Sequence, residues 1–306
     1  MKKLFFMVAT VMTLASCSQT ELEQTPIGQK EIKFSNLNDK VTRAANDNNA
    51  NYKVYADWSG VTTGWFINDV VNGTTNAPAN GPYHWPATGT VDFYAWAPST
   101  VTATGTYPNL SIAYTVPTGA DEDFTIAAPI TGISSGTVNF IFSHMLAKIS
   151  VTATLDQSLL DAGYVLTTTG LTASLDAQST GGTVDPKTSP ATWTLPNSTT
   201  ATYTGAASYM IMPQTSIGCA VQITAGILIT KNGTEIYNGT LSKYTIGTGN
   251  VTGDQFGMGK HYMLNLTISD SSTGGGGENI FNVINFTSTV TPWDTPTGTD
   301  TPLVQP

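Results

Sequence analysis

Alternating aromatic and β-branched runs recur along this chain, from "YKVYADW" at residues 52–58 to "HYMLNLTIS" at residues 261–269. A period of two puts successive side chains on opposite faces of a strand and leaves little for a helix to bury. Between the runs stand turn-forming residues: Asn-Gly-Thr occurs at Asn72, Asn232 and Asn238, and Asn-Gly tolerates the positive φ of tight hairpins. The same tripeptides fit an N-glycosylation sequon, but the turn is the simpler reading. Only "DQSLLDAGY", residues 156–164, resembles a short helix. Short strands with such punctuation predict an all-β chain of sandwiches, and the length suits two of them.

The organisation along the chain follows from composition. Lys2 and Lys3 precede an apolar run, Leu4 to Leu14, which is too short to span a bilayer and reads as a signal peptide over residues 1–16. It ends in "LASC", the pattern at which bacterial lipoprotein leaders are cut and the cysteine acylated, so Cys17 is the expected lipid site. Residues 17–43 then read as an N-terminal propeptide strand, 44–135 as a first sandwich and 136–273 as a second. The boundary is set at "TGISSGT", residues 131–137, and residues 274–306 form a glycine linker, Gly274 to Gly277, with a C-terminal strand. Cys219, in an apolar stretch, is left without a disulfide partner and reads as a buried thiol.

From Ala44 onward six lysines face seventeen acidic residues, a formal charge of −11, which argues against nucleic acid or anionic lipid as partner. His84, His144 and His261 are scattered, with no spacing that makes a metal site. Asp121, Glu122 and Asp123 lack the alternate ligands of a calcium loop and are expected to solvate a turn. "GTGNVTG" has the wrong spacing for a dinucleotide fingerprint, and no nucleophile, base and acid set is visible. No cofactor, metal site or enzymatic activity is therefore expected.

Three stretches carry a resemblance: "YHWPATGTVDFYAWAP" at residues 83–98, "VNFIFSHMLAKISVTA" at 138–153 and "SYMIMPQT" at 208–215. With the LASC leader and a downstream arginine, the chain resembles the fimbrillins of Bacteroidales, the structural subunits of type V pili. The resemblance implies two transthyretin-like β-sandwich domains in tandem and a lipoprotein precursor held at the outer membrane. It further implies cleavage after an arginine by a trypsin-like, arginine-specific surface protease, and polymerisation with other fimbrial subunits by strand exchange at the cell surface.

Arg43 is the single arginine among 306 residues. A guanidinium pairs bidentately with a buried carboxylate in a trypsin-like pocket, and "AANDNN" after it is small and polar enough to enter a protease cleft. Cleavage between Arg43 and Ala44 would remove the preceding "EIKFSNL", in which Ile32 and Phe34 share one face. At the other end, alternation in "GENIFNVINFTSTVTPW" puts Ile280, Ile284, Phe286 and Val290 on one face. "EIKFSN" and "VINFTS" share an Ile-x-Phe followed by a hydroxyl residue. The expectation is that Ile32 and Phe34 lie on a displaced strand and the C-terminal strand of another subunit takes its place. A fimbrial tip or anchor subunit is the alternative on the same fold. From another class, a glycan-binding surface lipoprotein would use exposed rings of Trp58, Trp65, Trp85 or Trp96.

Overall fold

A computed structural model describes residues 30–36, 51–61, 63–117, 122–196, 201–206, 208–270 and 281–292. The described chain is nearly all β-structure with one short α-helix, Gln157–Asp161. That helix begins where expected because the Asp156 carboxylate accepts the Leu159 N–H at 2.9 Å, satisfying a donor that the first turn leaves free.

Two hydrophobic clusters organise the strands. The smaller sits under a sheet whose hydrogen-bonded order is Phe142–His144, Thr125–Ala127, Val91–Ala97, Tyr52–Trp58 and Ile67–Val71. Packed against it is a parallel pair, Lys33–Asn36 beside Thr137–Phe140. Alternation supplies the inward set: Val54, Ala56, Phe93 and Ala95 from the sheet, and Ile32, Phe34, Val138 and Phe140 from the facing pair. Phe142–His144 follows Phe140 by one intervening residue, so the chain crosses between layers at Ile141, whose side chain is exposed.

The larger cluster lies between two sheets. One has the order Ser208–Ile211, Ala147–Leu155, Lys260–Asp270 and Phe281–Pro292; the other, Ala201–Ala206, Tyr164–Ala177, Ala220–Lys231 and Thr234–Asn238. Its buried residues include Leu146, Ile149, Val151, Leu175, Val221, Ile223, Leu264 and Leu266. A further small sheet joins Ala103–Thr104 and Ser111–Thr115 to Gly181–Val184 and Trp193–Thr194. Strands from both sides of residue 135 thus share hydrogen bonds, and Tyr55, Trp96 and Ile112 belong to the larger cluster. The stretch 131–137 carries strand Ile130–Ile133 and leads into Thr137–Phe140, which pairs with the first strand; the chain enters the sheets of the larger cluster at Ala147.

Two local devices shape these sheets. Between Lys231 and Thr234 the hairpin turns on Asn232 and Gly233, at φ 51° and 76°, as the Asn-Gly dipeptide predicts. At Gly226, φ is 86° and an added Cβ would lie 2.6 Å from Leu171 Cα, where the Tyr164–Ala177 ladder shifts register. Only glycine fits that bulge.

Candidate strand-exchange site

The first strand is built into the smaller core. Ile32 is 1% exposed and Phe34 6%. Phe34 stacks on Phe140 and meets Phe93 edge-on. On one flank, Lys33 to Asn36 pair in parallel with Thr137 to Phe140. On the other, Ile32 N–H donates to Tyr83 C=O at 2.8 Å and Trp85 N–H donates to Lys30 C=O at 2.9 Å. The Ile-x-Phe alternation therefore reads correctly: both side chains point inward, and the strand has neighbours at both edges over part of its length.

A buried carboxylate holds the second neighbour in place. Asp69 accepts from Val70 N–H (2.7 Å), Asn80 N–H and Asn80 Nδ2 (2.8 Å each) and the Tyr83 hydroxyl (3.2 Å). Burial, with the Asp69 charge beside it, pushes the Tyr83 phenol up to about 12. Asp69 thereby fixes residues 80–83, whose backbone receives the first strand. No sequence motif signals this: an Asp in a strand with its partners eleven and fourteen residues away resembles a surface residue until the loop is folded.

At the far end of the chain, Phe281–Pro292 pairs antiparallel with Lys260–Asp270 of the same chain. The ladder shifts register at Ile284, between Val283, opposite Ile268, and Asn285, opposite Thr267. A bulge reverses the in-out alternation on one side of it. Phe286 and Val290 face the larger core as the alternation predicts, and Phe281 and Val283 join them, which strict alternation misses. Phe286 stacks on Tyr244 with centroids 5.5 Å apart. Cys17, Arg43, Ala44 and Ile280 lie outside the described residues, as does the side chain of Ile284.

The other candidates separate clearly. Trp85 and Trp96 are buried in the two cores and offer no ring face. Trp65 is half-buried, with Tyr55, Tyr94 and Tyr107 each meeting it at interplanar angles above 80°. Trp58 is half-buried, and its indole N–H donates to Thr88 C=O. Cys219 is buried, its thiol pushed up to about 11 by desolvation. Among the described residues no group of His, Cys, Asp and Glu side chains could hold a metal, and no helix is long and apolar enough to cross a membrane.

One reading of the acidic trio needs correction: Asp123 does not solvate a turn. Its side chain is nine-tenths buried and lies 2.5 Å from His144 Nδ1. The cause is its neighbour Phe124, which is fully buried and accepts Met145 N–H, drawing Asp123 to the crossing between the two clusters. A buried polar side chain in that position needs a hydrogen-bond partner, and His144 supplies it from 21 residues away.

The described residues form an all-β body of layered sheets, with Lys33–Asn36 packed into the smaller cluster and Phe281–Pro292 against the larger. Residues 40–293 match the fimbrillin-like family, and the chain belongs to it. No curated protein matches it by sequence. Among solved structures, a candidate cell adhesion protein from Bacteroides uniformis superposes with a TM-score of 0.59 at 20% identity, over 88% of this chain and all of that one. A fimbrial protein from Bacteroides vulgatus superposes at 0.54 and 16% identity, over 86% of this chain and 99% of that one. At these identities the likeness speaks for the fold.

Proposed function

We propose that this chain is a structural subunit of a cell-surface fimbrium, exported as a lipoprotein acylated at Cys17 and released by cleavage between Arg43 and Ala44. In this reading the cut frees the strand bearing Ile32 and Phe34, and the C-terminal strand of a neighbour enters the vacated seat. The observation that supports it is the placement of Ile32 and Phe34: both are core residues, one just before and one within the short strand Lys33–Asn36, which precedes the segment carrying Arg43. Because seat and donor are different surfaces, the contact is head-to-tail and grows an open filament.

Magnitudes set a condition on the exchange. Leaving the home edge exposes Phe281 and Phe286, at a cost of about 3–6 kcal/mol for two large side chains. Ile284 and Phe286 entering the vacated seat return a similar amount, so exchange proceeds only after proteolysis has made the first strand dissociable.

The pairing of Phe281–Pro292 with its own sheet over eleven positions favours a second reading, a terminal subunit that accepts a strand and gives none, as at a fimbrial tip. Mass spectrometry of the mature N-terminus tests the shared premise. Ala44 as first residue supports a cleaved subunit, and acylated Cys17 in assembled fibres refutes it. Arg43→Ala is expected to yield a full-length, lipid-held, non-polymerising precursor.

A further inference from the structure

The sheet of the smaller cluster ends in an uncovered edge. Phe142–His144 is its last strand, paired on one side with Thr125–Ala127, and among the described residues no strand lies on its other side. Ala128 N–H donates to Ile141 C=O at 3.4 Å, and Met145 N–H donates to Phe124 C=O at 2.9 Å. Peptide groups of an antiparallel strand alternate between its two edges, so Phe142 turns its N–H and C=O away from that ladder. An edge of this kind is a template for a further strand. Beside it lies a cleft of about 490 Å³, lined by Phe142, Ser143, Met145, Pro190, Met258 and Gly259 among others. Among the described residues no Asp, Glu, Lys or Arg lines it.

The strand Phe281–Pro292 delivers the chain to this place. Pro292 stands opposite Lys260 in the ladder. Next to Lys260, Gly259 N–H donates to Leu146 C=O at 2.9 Å, and a Cβ added at Gly259 would lie 3.9 Å from His144 Cβ. Pro292, Lys260, Gly259 and His144 are thus successive neighbours, and one Cα step of about 3.8 Å carries the chain from Pro292 to Trp293. We infer that Trp293, which lies outside the described residues, seats its indole in the cleft of its own chain, while residues 293–295 add a short strand to Phe142–His144. The cleft offers thioethers, Met145 and Met258, that suit an aromatic ring, and Trp293 is the only aromatic residue among 293–306. With the indole turned inward, alternation turns Asp294 outward, so no charge is buried. Pro296 has no N–H to donate and limits the added strand to three residues. So short a strand binds because it is tethered to Pro292, which holds it at roughly millimolar effective concentration. The contact clasps the outermost strand of the larger cluster's sheet to the edge of the smaller cluster's sheet. It stands whether or not subunits exchange strands.

The test is amide hydrogen exchange, read by NMR on the chain from Ser18 to Pro306. The Phe142 N–H reports the added strand, and the Val54 and Leu264 N–H groups, in the two cores, report that each variant folds. Trp293→Ser removes the indole, and Ala128→Trp fills the cleft from its exposed rim. Each is expected to speed exchange at Phe142 about tenfold while the core amides keep their wild-type rates. Exchange at Phe142 that stays at the wild-type rate in either variant overturns the clasp. Protection of Phe142 that falls on dilution would mean that Trp293 comes from a second copy, and would overturn its assignment to the same chain.

Discussion

The ring of Phe34 lies nearly parallel to that of Phe140, with centroids 6.1 Å apart and an interplanar angle of 16°. Through this pair the short first strand is tied to the strand beside it as well as to the sheet beneath, where Phe93 meets Phe34 edge-on. A four-residue strand has few backbone bonds to hold it, and these ring contacts add to its attachment.

Phe34→Ala is accordingly expected to destabilise the uncut chain by about 3–5 kcal/mol, the usual cost of emptying a buried phenylalanine site. Urea denaturation followed by tryptophan fluorescence measures it. A loss below 1 kcal/mol would mean that the first strand is peripheral to the fold.

Asp69→Ala should loosen the loop that receives the first strand. It strips the carboxylate from Val70, Asn80 and Tyr83, leaving donors in a half-buried pocket at a cost of about 2–3 kcal/mol. Amide exchange at Ile32 and Trp85 should accelerate more than exchange in the larger core. In Asp69→Asn the Tyr83 phenol should return toward its ordinary range, because a neutral amide no longer opposes the phenolate. Uniform acceleration across both cores would contradict the positioning role.

Much of this was legible in the sequence, and the failures have definite causes. Period-two alternation placed Ile32, Phe34 and Phe286 inward because each stands in an uninterrupted stretch of its strand. It lost Phe281 and Val283 because a bulge at Ile284 shifts the register, and no residue there announces a bulge as Gly226 does elsewhere. Asp69 and Asp123 were illegible for another reason. Their partners, Asn80, Tyr83 and His144, become neighbours only when loops close, and local pattern carries no trace of that.

The helix cap yields a pH-dependent prediction. The Ser269 hydroxyl, assisted by Leu159 N–H and Ser158 and opposed by partial burial, holds the Asp156 carboxyl below its usual range. A depressed carboxyl stabilises the fold above the unfolded-state value, near 4, and loses that contribution as pH falls through the folded value. Asp156→Ala should therefore cost about 1 kcal/mol at neutral pH, with the gap to wild type narrowing in acid. Thermal melts at pH 7 and pH 2.5 decide it; a gap that widens in acid would reverse the assignment.

Removing residues 278–306 separates the two readings of assembly. Phe281 and Phe286 leave the larger core with the deleted strand, exposing the Lys260–Asp270 edge, so the truncated chain should melt earlier than the full chain. Its first-strand seat lies in the other cluster and stays intact. As a donor-less subunit it should accept a strand but give none, and in mixtures with wild type it should cap growing filaments and shorten them in proportion to its fraction. Filament lengths by electron microscopy provide the measure. A terminal subunit would behave differently, because loss of a strand it never donates leaves filament length unchanged. Elongation by the truncated chain alone would place the donor elsewhere in the sequence.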